Sequence, residues 1–246
     1  MNKRIVVLLT CAVLLSCSLV FAGTNQKTER PWTEWTQKEA EKVLSSSPWS
    51  QTQVDTDTSE MFFSPTNDPA RGRTTDNAGQ RLESGARNQA VNVKFIVRFF
   101  SARPVRQALI RMMELKQKPD PAVAERMHAF ANVPSGDSII LTLSVETTDQ
   151  RYAGQAMQAM GSAVTATMKN ETYLERDGKR HFLHEYIPPG KDGFGARFIF
   201  LRLVDEQPFI KDNTGEVRFV TKYPTGLKVD RRFKVEEMLY EGKLEY

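Results

Sequence analysis

Apolar side chains at every second position set the strongest limit on what this chain can become. Val91, Val93, Phe95, Val97 and Phe99 alternate with Asn92, Lys94 and Arg98. Ile139, Leu141, Leu143 and Val145 alternate with Ser138, Thr142, Ser144 and Glu146. Successive side chains of a strand point to opposite faces, so each run reads as a strand with one buried and one polar face. Val217, Phe219, Thr221 and Tyr223 repeat the pattern after an Asn213-Thr214-Gly215 turn. Tyr173 to Arg176 and Lys179 to Ile187 flank Asp177-Gly178, the two-residue signal of a hairpin. Ala196 to Val204 is apolar on both faces and predicts a central strand, and Leu227 to Val235 and Met238 to Tyr246 close the chain as strands.

Helical signals lie between these runs. Thr36 with Glu39 forms a capping box, and Ala40, Val43 and Leu44 share one face of the helix that follows, before Ser47-Pro48 stops it. A second helix has Pro104 in its first turn and carries Val105, Ala108, Leu109 and Met112 on one face, ending before Pro119. Asp120-Pro121 starts a third, with Val123, Met127 and Phe130 as its stripe. Asp149 is placed to cap a fourth, striped by Ala153, Ala156, Met157, Met160, Val164 and Met168, with Gly154 and Gly161 suggesting close packing against a sheet. The expected fold class is therefore α+β: a largely antiparallel sheet with two to three helices on one face, preceded by a signal peptide and a short Trp-flanked N-terminal helix.

The signal peptide is read from Met1 to Ala22. Lys3 and Arg4 precede the apolar run from Ile5 to Phe21, and Val20-Phe21-Ala22 supplies a small residue at the cleavage site. Both cysteines, Cys11 and Cys17, fall inside it. Cleavage after Ala22 leaves a cysteine-free mature chain, so an exported protein of this kind must be held by its core. The alternative is a lipoprotein anchored through Cys17, whose Leu14-Leu15-Ser16 context roughly fits a lipobox. Residues 23–63 form an N-terminal segment with the short helix. Residues 64–90 form a polar linker whose single apolar side chain larger than alanine is Leu82. Residues 91–246 form the α+β domain. No transmembrane anchor is expected after cleavage.

Charge excludes some functions. Loss of Lys3 and Arg4 takes the net charge from +4 to +2, too little to mark nucleic acid as a partner. Arg71, Arg73, Arg81 and Arg87 are dispersed in the linker. No dinucleotide or P-loop glycine spacing occurs at Gly190, Gly193 and Gly195, so no cofactor is expected. His181-Phe182-Leu183-His184-Glu185 lacks the zincin order, and on a strand His181 and Glu185 share a face that His184 does not; no metal site is expected. No G-x-S-x-G elbow and no mature cysteine nominates a nucleophile. The terminal alternation of Met238, Tyr240, Leu244 and Tyr246 has the look of a barrel's closing strand, but the helices between residues 104 and 168 interrupt any barrel series.

The chain's three tryptophans, Trp32, Trp35 and Trp49, bracket the first helix. They either anchor that helix to the body or form an aromatic platform for a sugar or a protein, which makes them the candidate binding residues. The functional expectation is an exported, non-catalytic envelope-associated or secreted binding protein, periplasmic or extracellular, whose partner is an envelope protein or a polysaccharide. The alternative is a secreted hydrolase with a site assembled from separated residues, His181 and His184 among them.

Overall fold

A computed structural model describes residues 30–57, 91–147 and 150–246. The signal peptide, the 64–90 linker and the Asp149 cap lie outside the described residues. Trp32–Tyr246 is one compact unit. It has the mixed α+β composition expected from the sequence, with antiparallel pairing between every bonded pair of strands.

After a 3-10 turn at Trp32–Glu34 comes α1, Gln37–Ser45. Its capping box is formed: Thr36 N donates to Glu39 Oε2 (2.8 Å) and Glu39 N donates to Thr36 Oγ1 (3.3 Å). Strand β1, Ser50–Asp57, then pairs with β2, Val91–Phe99, from Ser50↔Arg98 to Asp57↔Val91. No strand was expected at β1, because Ser-Gln-Thr-Gln-Val-Asp-Thr-Asp has no apolar alternation. Its conformation comes from the neighbour it pairs with. The N-terminal segment is thus an edge of the main sheet, continuous with the region read as starting at residue 91.

Helices α2, Arg103–Gln117, and α3, Pro121–Asn132, follow, and Asp120 accepts from the backbone of Ala122 and Val123 (both 3.0 Å). Then come β3, Ser138–Thr147, α4, Gln150–Ser162, and the single turn α5, Thr165–Met168. The fourth expected helix is therefore two. Met157 and Val164 of its stripe are exposed, at 44% and 54%, while Ala159 and Ala163 are buried instead. Gly154 and Gly161 do not mark close packing: a Cβ at either would meet nothing within 4 Å.

The remaining strands are β4, Thr172–Arg176, β5, Lys179–Phe182, β6, Glu185–Ile187, β7, Ala196–Leu201, the short pair β8, Leu203–Val204, and β9, Gln207–Pro208, then β10, Glu216–Lys222, and β11, Lys228–Lys234. Asp177 and Gly178 both take positive φ (50° and 74°), the turn that joins β4 to β5. Where one strand was expected from Lys179 to Ile187, the chain changes sheets. Leu183 N still bonds Thr172 O of the β4 side, whereas His184 N bonds Ile199 O of β7.

Two sheets result, ordered β1-β2-β3-β7-β6 and β11-β10-β4-β5. They face each other through the alternating apolar positions. Phe99 meets Phe233 at 4.8 Å and Phe198 meets Phe219 at 5.1 Å between ring centroids across the sheets, and Tyr186 packs on Phe198 (5.2 Å) within the first sheet. The 179–187 segment joins the sheets at one edge. At the other, the Gln53 side chain of β1 stands in for a missing strand ladder: Nε2 donates to Lys228 O (2.9 Å) and Oε1 accepts from Asp230 N (3.0 Å) of β11.

The chain ends in the 3-10 turn Val235–Glu237 and a tight ribbon, β12, Leu239–Tyr240, with β13, Lys243–Leu244. The continuous closing strand expected from Met238 to Tyr246 is thus folded back on itself. Glu241 and Gly242 turn it with φ of 51° and 75°.

Gly195 (φ +83°) is a required glycine, since a Cβ there would lie 2.1 Å from Leu143 O. That contact presses the 190–195 loop onto β3.

Replacing Gln53 by alanine should leave both β11 backbone groups without their protein partner. We expect a loss of about 1–2 kcal/mol in urea unfolding, since each net hydrogen bond contributes about 0.5–1.5 kcal/mol. Unchanged stability would show that water replaces the amide without cost.

Candidate binding cleft

The even-numbered positions of β2 point away from the second sheet, and α1 and α2 cover them incompletely. Between them lies a cleft of about 910 Å³. Its floor is Ile96 and Arg98 of β2, one side is Leu44 and Ser45 of α1, and the other is Leu109, Met112 and Met113 of α2. Phe194 of the 190–195 loop closes one end. The loop is tied down by Phe194 N donating to Asp192 Oδ1 (3.1 Å) and by an Asp192–Arg197 ion pair (3.0 Å). This volume falls in the range of small-molecule sites, about 300–1,000 Å³.

Arg98 dominates the electrostatics. Its Nε donates to Leu44 O at the end of α1 (2.5 Å), and its Nη1 donates to Ser144 Oγ of β3 (2.6 Å). Both acceptors are neutral, and no carboxylate of the described residues is within ion-pair distance of it. Burial pulls the guanidinium down to about 10, with Glu146 acting weakly in the other direction. The other charged groups lining the cleft, Glu41, Lys94, Lys116, Glu146 and Asp192, are exposed at its mouth.

The candidate tryptophans are not gathered into a platform. Trp49 is 8% exposed, donates Nε1–H to Glu245 O (2.8 Å) and stands edge-on to Tyr240. Trp32 is 9% exposed in a satellite cluster with Ile110 and Ala131, edge-on to His128. Trp35 is half-buried between that cluster and the main core. All three pack the α1 region onto the body.

The histidines are dispersed. His128 pairs with Glu114 (2.5 Å) between α3 and α2. His181 Nε2 bonds Leu201 O (2.7 Å) beside the Phe200 and Phe209 rings. His184 is exposed at the point where the strand changes sheets, which also separates His181 on β5 from Glu185 on β6. Among the described residues no group of three His, Cys, Asp or Glu side chains is placed to hold a metal.

Two other charged sites are already satisfied from within. On the outer face of the second sheet Arg218 grips both carboxylate oxygens of Asp230 (2.8 and 2.5 Å). At the start of α2, which has no side-chain cap of its own, Glu245 accepts from Arg103 N (3.3 Å) and Ser135 Oγ (3.4 Å). Sequence reasoning missed Arg98 because one arginine on the polar face of a strand reads as solvated. Its burial depends on α1 arriving from a segment distant in sequence.

Two outcomes test this assignment of roles. Trp49→Ala should cost about 3–5 kcal/mol of unfolding free energy, the range for removing a large buried aromatic, and a loss below about 1 kcal/mol would return Trp49 to the surface. Burial lowers the His181 pKa below its ordinary 6.5, outweighing the Leu201 bond. Between the lowered folded value and 6.5 the unfolded chain holds more protons, so stability should be full above about pH 6.5 and fall as pH drops through that window. His181→Gln should flatten this part of the pH profile of the melting temperature; a slope that survives belongs to another group.

The chain matches no protein-family model, no curated protein and no solved structure, so what the cleft can do follows from its own side chains.

Proposed function

We propose that this chain is an exported, non-catalytic binding protein of the cell envelope or the medium, and that the cleft under α1 and α2 is its binding site. The observation that carries the reading is Arg98, a half-buried cation held by two neutral acceptors at the floor of a concavity whose floor and walls carry Leu44, Ile96, Leu109, Met112, Met113 and Phe194 among polar and charged side chains. Such a group recognises a ligand and supplies no nucleophile or general base. The charged start and apolar run from Met1 to Ala22 support export. The cleft is sized for a small ligand or one short segment of a larger partner.

N-terminal sequencing of the exported protein should begin at Gly23, and native mass spectrometry of the same material should show a bound molecule released on denaturation. A start at a lipid-modified Cys17 or at Met1 would overturn the cleavage. A chain that binds nothing from its own compartment would overturn the binding role.

A further inference from the structure

We infer that the cleft takes an amphiphile with a single carboxylate head, the head seated on Arg98 and the hydrocarbon chain laid along α2. This rests on the reading of the chain as a binding protein and names the class of its ligand.

The head follows from the guanidinium. Arginine has five N–H donors in a planar fork. In Arg98 one hydrogen of Nε and one of Nη1 are engaged. Nη2 and the second Nη1 hydrogen have no partner among the described residues. The free end of the fork therefore presents parallel donors, the geometry that a carboxylate accepts in bidentate fashion. A half-buried cation whose hydrogen-bond acceptors are both neutral is incompletely compensated, and an arriving anion offsets part of that desolvation penalty. One fork, with no helix N-terminus or second buried cation in the cleft, suits a monoanion better than a phosphate dianion.

The tail follows from the wall. Leu109, Met112 and Met113 recur at helical spacing on α2, ending at Lys116. At 1.5 Å per residue the apolar part of this stripe, from Leu109 to Met113, is about 6 Å long, with Lys116 one turn further on. Ile96 faces it from the sheet and Phe194 stops the end. Methionine side chains are flexible and polarisable, so they adapt to a chain of no fixed shape. A polysaccharide would need exposed aromatic faces for its rings, and Trp32 and Trp49 are buried elsewhere. A cationic ligand would face Arg98, and the acids that could receive it lie at the mouth, with Asp192 already paired to Arg197.

The test is isothermal titration of the mature chain with decanoate, decanol and acetate below any micelle-forming concentration. Decanoate should bind with one-to-one stoichiometry and at least tenfold more tightly than decanol, and acetate alone should give no saturable heat. Arg98→Met should bring decanoate down to the affinity of decanol. Met112→Gln should weaken both alike while keeping the preference for the acid. Equal binding of acid and alcohol to the wild-type chain would overturn the proposal. So would saturation by acetate alone, or a preference that persists in Arg98→Met. Because the acid–alcohol comparison uses the unaltered chain, it decides even if Arg98→Met does not fold. A chain that carries a native ligand but ignores decanoate would overturn the amphiphile and leave the binding role standing. One that takes up neither would remove both.

Discussion

The face-to-face burial of two antiparallel sheets is the constraint on which everything else in this molecule depends. Phe95, Val97 and Phe99 on β2, Leu141 and Leu143 on β3, and Phe198 and Phe200 on β7 point inward together with Leu174, Phe219 and Phe233 of the opposing sheet. At about 25 cal/mol per Å² of apolar surface removed from water, such a core is the main source of folding free energy, and the described residues contain no cysteine. It also settles the other faces. Strand alternation leaves Lys94, Ile96 and Arg98 pointing away from the core, and among the described residues α1 and α2 border the cleft above them.

Incomplete covering creates the cleft. Ile96 is buried in its floor, and Arg98 is anchored to both the helix end and the neighbouring strand. The bond from Arg98 to Leu44 O also places a cation at the carboxyl end of α1, where the helix dipole favours it. The same guanidinium therefore fastens a helix end and lines the cleft.

The C-terminal residues are tied to this arrangement by contacts distant in sequence. The Glu245 carboxylate caps α2 in place of an N-cap side chain, while its carbonyl accepts from Trp49. Arg202 donates to the Tyr246 carbonyl (2.5 Å) and lies over the Tyr246 ring. The cleft walls, α1 and α2, are thus fastened at one end by the last residues of the chain. Their spacing is set by the whole fold rather than by local propensity.

The sequence by itself determined the strands whose inner faces alternate, the capping box of α1, the proline-started α2 and α3, the Asp177-Gly178 hairpin and the α+β class. Each is a local pattern whose period or turn chemistry admits one structure. It did not reveal β1, because a polar edge strand has no buried face to betray it and is held by its partner's ladder. Nor did it reveal that residues 179–187 serve two sheets, since the change at Leu183 and His184 depends on where β4 and β7 lie. The tryptophans were legible as either anchors or a platform, and the sequence could not choose between them, because burial is decided by what packs against them. Arg98 was silent for the same reason. Its rotamer-fixing bonds and its partial burial come from elements far apart in the chain, and only tertiary structure brings them to one point.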